Sequence, residues 1–373
     1  MKWTLSLFLF VFVYIVSSLE AHAWVNTGDL SNSGAGGVFS MIESHDGAIF
    51  AGTAPNAGVF KSIDGGDTWT FLTNLSDPSE LTYALLEASD YSIFAGTGSW
   101  TGKIFKSVDQ GSTWYDTGFA GEQRVHGLAE SMDGAIFATT AWNGANVYKT
   151  IDGGLTWDNK GDLNGATDAT CILVTANGSI YVGTAEFGAM QAIVFKTING
   201  GDTWTSTGST PGSYSIQSIT EASDGSIYAG GNKPGLIFKT SNGGNSWEDV
   251  SNFPAVTKIW SILGASDGSI YFGTEGDKGE VFRTKDGGIT WQNTGDLPGA
   301  TGVFSLMEDS SGVVFAGTIP NADIFKLIPG DDDDDTGGDD TTPDDDNSIP
   351  DDDIADDDHG GSSGSSGSGG CGC

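Results

Sequence analysis

Short apolar segments recur along the chain, and glycine-rich turns separate them. Each repeat opens with an apolar strand, as in residues 38–42 and 303–307. A second strand follows at 48–53 and is echoed at 92–97, 135–140, 179–184, 226–231, 269–274 and 313–318. The third strand is Val59-Phe60-Lys61, with six further copies that end in Lys or Arg. Turn pairs such as Asp46-Gly47 form tight hairpins, and no segment has a helical period. The pattern predicts an all-β protein.

An eight-residue box follows the third strand. It reads Ser62-Ile63-Asp64-Gly65-Gly66-Asp67-Thr68-Trp69, and similar boxes end at Trp114, Trp157, Trp204, Trp247 and Trp291. The paired glycines permit backbone angles that a side chain would forbid, and an Asp or Asn oxygen can bond the turn amides. We therefore interpret the box acids and amides as structural residues, with each Trp covering its own repeat: Asp64, Asp109, Asp152, Asn199, Asn242 and Asp286.

Four strands in about 44 residues are typical of a propeller blade. The first three strand types occur seven times, but the box occurs only six times. The missing outer strand is predicted at the N terminus, because residues 24–30 closely copy residues 291–297. We predict a single seven-bladed β-propeller of four-stranded antiparallel blades, spanning residues 24–330. The N-terminal strand closes its ring and leaves no open edge.

The first 23 residues predict an exported protein. Lys2, an apolar run over 5–16 and Ala21-His22-Ala23 are typical of a cleaved secretory signal peptide, with an uncleaved membrane anchor as the alternative. At the other end, residues 331–373 carry 16 Asp in clusters and then a Gly/Ser stretch. This composition predicts a disordered, extended tail with only weak, diffuse calcium association. The protein is expected to be secreted or held at the cell surface.

The chain ends in Cys371-Gly372-Cys373. An Asp-rich spacer, a Gly/Ser stretch and terminal cysteines resemble the C-terminal surface-sorting tails of some bacteria, in which a cysteine near the end is processed or lipidated. The apolar helix and basic cluster that normally follow are missing from this sequence. Envelope tethering through Cys371 or Cys373 and a solvated tail with two free thiols therefore stay as alternatives. The third cysteine, Cys171, lies in an apolar run and is predicted to be buried.

Composition excludes several functions. The 373 residues carry a formal net charge of −35, and phosphates must be neutralised by Lys and Arg, so no nucleic-acid partner is expected. Arg124 and Arg283 are the only arginines, which excludes any clamp of several guanidinium groups. Four histidines without clustered spacing give no support for a transition-metal site. We expect no cofactor and a monomeric protein.

The box resembles the BNR or Asp-box repeat, and the resemblance covers residues 24–326. That repeat occurs in sialidases, xyloglucan-degrading glycosidases, sortilin-like receptors and photosystem assembly factors. The resemblance implies a propeller in which the boxes are structural and lie away from the binding face. Sialidases bind the substrate carboxylate with three arginines, and the photosystem factors use an arginine-rich patch. Two arginines cannot supply either feature, so neither activity is expected.

The opposite face carries the candidate functional residues. Trp100, Trp142 and Phe187 fall outside the repeat in the same loop of three successive blades, and such rings suit stacking on sugars or packing against a protein. We therefore predict a non-catalytic module that binds an extracellular glycan or protein. The alternative is a glycoside hydrolase that uses two loop carboxylates. A structural surface protein without a small ligand is a third possibility. The candidate catalytic carboxylates are Glu186, Glu275 and Asp277, between second and third strands, and Glu80, Glu122 and Asp168, which lead into first strands. His126 and Trp260 lie in innermost strands and are expected to line or plug the central channel.

Overall fold

Strands account for nearly all regular structure in the described part of the chain. The computed structural model describes residues 23–121, 124–142, 144–163, 166–186 and 191–328, and its one helix is a single 3₁₀ turn at Leu30–Ser33. The predicted signal peptide (apart from Ala23) and the acidic tail with Cys371 and Cys373 lie outside the described residues. The loop residues Glu122 and Phe187 also lie outside them.

The strands form successive units of four. The first strands are β2 (Gly37–Glu43), β6 (Leu81–Glu87), β10 (Arg124–Glu130), β14 (Asp168–Val174), β18 (Ser215–Glu221), β22 (Val256–Gly264) and β26 (Gly302–Glu308). The second strands are β3 (Ile49–Ala54), β7 (Ile93–Gly98), β11 (Ile136–Ala141), β15 (Ile180–Ala185), β19 (Ile227–Gly235), β23 (Ile270–Glu275) and β27 (Val314–Ile319). The third strands are β4 (Gly58–Ser62), β8 (Lys103–Ser107), β12 (Asn146–Thr150), β16 (Gln191–Thr197), β20 (Ile237–Thr240), β24 (Glu280–Thr284) and β28 (Asp323–Ile328). The outer strands are β1 (Ala23–Asp29), β5 (Thr70–Asn74), β9 (Tyr115–Asp116), β13 (Asp158–Asp162), β17 (Thr205–Pro211), β21 (Glu248–Asp249) and β25 (Gln292–Asp296).

All strand pairs within a unit are antiparallel, and the chain is an all-β propeller. The N-terminal strand β1 pairs with β28, with Trp24 opposite Leu327 and Asp29 opposite Asp323. Each first strand contacts the first strand of the next unit, and β26 contacts β2. The second strands are the most buried, because apolar side chains such as Phe50, Phe94 and Phe137 are enclosed by neighbouring units. Cys171 in β14 is fully buried, which confirms the prediction for that residue.

A β-bulge interrupts every first strand at the same place. The register with the second strand shifts by one residue, for example between Val38 and Ser40. The extra residue bends the strand and redirects its side chain. The bulged positions are Phe39, Tyr83, His126, Thr170, Gln217, Trp260 and Phe304. Five of these residues carry rings, and their rings contact one another.

The box closes the turn between the third and outer strands through its own side chains. In the first box, Asp64 Oδ1 accepts from the backbone N–H of Thr68 at 2.9 Å, and Ser62 Oγ accepts from the N–H of Gly66 at 2.9 Å. Trp69 Nε1 then donates to the Gly66 carbonyl at 3.1 Å. Asn199 replaces the acid in its box and accepts from the Thr203 N–H at 3.1 Å. The box residues are thus occupied in holding a turn.

A lysine near the end of six of the third strands connects neighbouring units. Lys149 Nζ lies 5.1 Å from the centre of the Phe137 ring and donates to the carbonyl of Gly200, in the next box, at 3.2 Å. The same contact to the next box is made by Lys61, Lys106, Lys196 and Lys239. Lys326 Nζ lies 2.5 Å from Asp67 Oδ1, so the last third strand is linked to the first box. The repeated lysine therefore has a structural role.

Candidate binding site on the loop face

The two ends of the propeller differ in chemistry. In a four-stranded antiparallel unit, the first and third turns lie at one end, whereas the second connection and the link to the next unit lie at the other. The boxes occupy the first of these ends. We call the opposite end the loop face, and it carries the loops that contain Trp100 and Trp142.

Both tryptophans are exposed, and a buried carboxylate holds the backbone of each. The Trp100 ring is 68% exposed and the Trp142 ring is 54% exposed. Asp168 Oδ1 accepts from the backbone N–H of Trp142 at 2.7 Å. Glu80 Oε1 accepts from the N–H of Trp100 at 3.3 Å. The two rings are therefore presented to solvent by a fixed loop backbone.

The Trp142 ring also stacks on the guanidinium group of Arg124. Its backbone has φ +81°, a left-handed conformation that is uncommon for a bulky residue and is found at functional sites. The Arg124 guanidinium carbon lies 4.3 Å from the centre of the Trp142 ring and 5.8 Å from that of Tyr83. Stacking on aromatic faces is characteristic of arginine, whose charge is planar and weakly hydrated.

An arc of aromatic rings continues from Tyr83 across the centre of the propeller. The ring centres are 4.6 Å apart between Tyr83 and His126, 5.9 Å between Tyr83 and Phe39, and 5.0 Å between Phe39 and Phe304. Phe304 then stacks on Trp260 at 4.5 Å. All five rings are bulged residues of first strands. We call this group the aromatic arc, and it agrees with the expectation that His126 and Trp260 line the channel.

The remaining bulged positions and the ionisable groups give the arc polar surroundings. Thr170 and Gln217 occupy the bulges on the opposite side. Burial, with a smaller contribution from the Arg124 charge, lowers the pKa of His126 to about 4. Burial also raises the pKa of Asp168, although the Trp142 N–H and the Arg124 charge act in the opposite direction. His126 is therefore neutral at pH 7.

The structure separates the carboxylates that were weighed for catalysis. Glu275 ends β23 and Asp277 lies in the loop after it, whereas Glu186 lies two units away. Glu275 is already engaged, because Lys258 Nζ lies 2.7 Å from Oε1 and Trp260 Nε1 donates to Oε2. Asp277 is exposed to solvent. These three positions do not form one cluster.

Two kinds of structure are absent from the described ranges, a cluster of metal ligands and a helix suited to a membrane. Between residues 23 and 328, leaving out the undescribed loop positions, no group of three or more His, Cys, Asp or Glu side chains is arranged to hold a metal ion. No helix in that part of the protein is long and apolar enough to cross a membrane.

A groove of about 700 Å³ lies beside the sixth box and is lined by Lys239, Glu248 and Asp286. It is therefore far from the loop-face tryptophans.

Arg124 belongs to the candidate site but is not singled out by the sequence. It lies two residues before the bulged His126, whereas Arg283 stands in the third-strand repeat, and the bulge itself is visible only in the structure. Arg124 and Trp142 are 18 positions apart in the sequence, and Trp142 lies in a loop outside the repeat. No repeated pattern therefore predicts that the two side chains stack.

The comparisons with known proteins agree on the fold. A family model described as the DUF6242 beta propeller domain matches residues 155–312. No curated protein matches the sequence.

Among solved structures, virginiamycin B lyase from Staphylococcus aureus, with quinupristin, has a TM-score of 0.67 at 15% identity, over 82% of this chain and 99% of the lyase. YCF48 bound to D1 peptide has a TM-score of 0.64 at 14% identity, over 83% and 97%. The GH74 xyloglucanase from Xanthomonas campestris has a TM-score of 0.62 at 16% identity, over 82% and 53%. These neighbours include both enzymes and a peptide-binding protein, and the chain is a β-propeller with Asp-box-like repeats.

Proposed function

We propose that this protein is a non-catalytic recognition module that binds an extracellular glycan or protein on its loop face. One observation carries the proposal: Trp100 and Trp142 are exposed on neighbouring units, and buried carboxylates fix their backbones. Exposed aromatic rings on a rigid backbone lose little conformational entropy when they bind. The favourable free energy of their contacts is therefore reduced only slightly by ordering. Such rings are enriched among the residues that dominate binding interfaces.

We further propose that the units are the seven blades of a closed ring. The contact of β26 with β2 and the pairing of β1 with β28 support closure. So does a bond across the same junction, in which Glu43 Oε2 accepts from the N–H of Ser310 at 2.6 Å. The proposed domain spans residues 24–330, after a signal peptide at 1–23 and before a tail at 331–373. Export and envelope tethering through that tail belong to the same proposal.

The test is affinity for a panel of neutral and acidic polysaccharides. Trp100→Ala and Trp142→Ala should each weaken binding at least about fivefold, the effect of losing somewhat more than 1 kcal/mol at an interface. Tyr91→Ala is the matched control, because this ring is 57% exposed but lies at the box end, in the turn between β6 and β7. An equal effect of all three variants would contradict binding on the loop face.

A glycoside hydrolase is the second candidate, and the observation that favours it is the raised pKa of Asp168. A raised pKa is typical of a general acid in glycoside hydrolysis, and a second carboxylate would be needed opposite it. The test is the release of new reducing ends from the same panel. Release that disappears in Asp168→Asn would make the protein an enzyme, whereas binding without release supports the recognition module.

A further inference from the structure

Arg124 differs from the other cations that stack on rings in this propeller. Arg283 lies over the Tyr271 ring and also lies 2.6 Å from Asp267 Oδ2. The six lysines near the ends of third strands each donate to a neighbouring box, and Lys103 and Lys258 pair with Asp116 and Glu275. Arg124, by contrast, forms no ion pair or hydrogen bond with the described residues, and its Nε is buried without a partner. A buried donor without a partner costs free energy, and a ligand that accepts its hydrogen bond recovers that cost.

A second buried group without a partner lies across β7 from Arg124. Gly98 in β7 pairs with Leu81 on one side and with Arg124 on the other, and the residue before Leu81 is Glu80, which is 2% exposed. The charges of Glu80 and Arg124 both act on Tyr83 and shift its pKa in opposite directions. Glu80 Oε1 accepts from Trp100, but its Oε2 is buried without a partner. The surroundings of Tyr83 therefore offer an unused guanidinium donor and an unused carboxylate acceptor.

We propose that the loop face binds a uronic acid residue of an extracellular polysaccharide, with its carboxylate on Arg124 and one of its hydroxyls donating to Glu80. The inference rests on the proposed recognition function and names the ligand class. A guanidinium fork matches a carboxylate in a bidentate arrangement, and a carboxylate acceptor requires a donor such as a hydroxyl. The outer face of Trp142 is free to stack on the apolar face of the sugar ring.

Charge favours a sugar acid over an acidic peptide. The protein has a net charge of −35, and the charge of Arg124 already acts on the buried Asp168, so a ligand with closely spaced negative charges would be repelled. A polysaccharide with isolated uronate residues places one carboxylate at the site and surrounds it with neutral hydroxyl groups. An acidic peptide offers the carboxylate but has no ring of hydroxyls to satisfy Glu80.

The test compares methyl glucuronide with methyl glucoside, which differ in the carboxylate. The full protein is titrated with each, and affinity is followed by the indole and arginine Nε–H signals in nuclear magnetic resonance spectra. The wild type should prefer the glucuronide about tenfold or more, as expected for a charge-assisted hydrogen bond. Arg124→Gln should abolish this preference, and Arg124→Lys should keep part of it. Lys103→Gln is the control, because Lys103 borders the Trp100 loop but is already 3.1 Å from Asp116.

The possible results distinguish a failure of the uronate site from a failure of the proposed recognition function. Equal affinity for the two glycosides, or a glucuronide preference that survives in Arg124→Gln, would overturn the uronate site and leave a binding face intact. Tighter binding of an acidic peptide than of the glucuronide would overturn it in favour of a protein ligand. If neither glycoside and no polysaccharide binds, the uronate site and glycan recognition both fail, and a protein ligand is the form of the recognition function that remains. Should Arg124→Gln not fold, the Arg124 Nε–H signal of the wild type still decides, because it must shift with the glucuronide and not with the glucoside.

Discussion

The N-terminal strand should contribute a large part of the stability of the propeller, and Trp24 is the residue with which to measure it. Trp24 is 9% exposed and packs with Leu297, Phe325 and Leu327. Its Nε1 donates to Thr294 Oγ1 at 2.9 Å. Residues 24–30 copy residues 291–297 but stand about 300 residues before β28 in the chain, so the pairing of β1 with β28 places this ring in the core.

The magnitude follows from the burial of Trp24. Replacing a buried Trp by Ala costs about 3–5 kcal/mol. The lost hydrogen bond adds little, because the Thr294 hydroxyl still donates to the Val281 carbonyl at 2.9 Å. A domain of this size has an unfolding entropy of roughly 0.6 kcal/mol per degree, so Trp24→Ala should lower Tm by about 5–8 °C.

Val25→Ala is the matched control. Val25 is the next residue of the same strand, its side chain is 45% exposed, and its backbone pairs with Lys326 in the same ladder. Because little apolar surface is lost, the change should cost under about 1 kcal/mol. Both variants are compared by calorimetry at neutral pH. Equal Tm values for Trp24→Ala and wild type, or equal losses in the two variants, would refute closure by the N-terminal strand.

Three further predictions concern the contacts within and between units. The Lys149 ammonium donates to the next box, so Lys149→Met should lower the free energy of unfolding by about 1.5–3 kcal/mol in urea titrations. Lys278 is exposed, and Lys278→Met should have almost no effect. Asp64→Asn should keep Tm close to that of the wild type, because two natural boxes carry Asn, whereas Asp64→Ala should lower Tm. Similar Tm values for the two variants would contradict the hydrogen-bonding role of Asp64. The lowered pKa of His126 means that the unfolded chain binds more protons between pH 6.5 and about 4, so stability falls as pH falls through that window, by up to about 3 kcal/mol. Urea titrations of His126→Phe should lack this component, and identical pH profiles would contradict it.

Repetition made the strands, the boxes and the pairing of the N-terminal strand predictable from the sequence. Val59-Phe60-Lys61 and its copies predicted the third strands at the right places, because alternation and turn glycines are local signals. The role of the lysine was not predictable from the repeat. Its partner is a carbonyl in the next unit, about 50 residues away, and a backbone carbonyl carries no sequence signature.

The candidate site was predictable only in part. Trp100 and Trp142 were found because they break the repeat, and their exposure could not be known before the loops were placed. The contact between Arg124 and Trp142 depends on a left-handed residue in an irregular loop, which no periodic pattern encodes. Phe187 lies outside the described residues, so its role in the binding face stays a prediction.

The bulge explains why one group of side chains escaped the sequence reasoning. In an uninterrupted strand, residues alternate between faces, so Phe39 and Tyr83 would read as ordinary half-buried positions. The register shift turns them toward the centre instead, where they form the aromatic arc. A bulge has no fixed sequence signal, and here its repetition in every first strand becomes visible only in the structure.

The most direct test of the central claim is a map of which tryptophans contact the ligand. The chain has 11 Trp, and the indole N–H signal of each can be followed in a nuclear magnetic resonance spectrum while a bound polysaccharide is added. The account predicts shifts of the Trp100 and Trp142 signals, with the six box tryptophans unchanged. Shifts confined to the box tryptophans would place binding at the opposite end of the propeller and contradict the account.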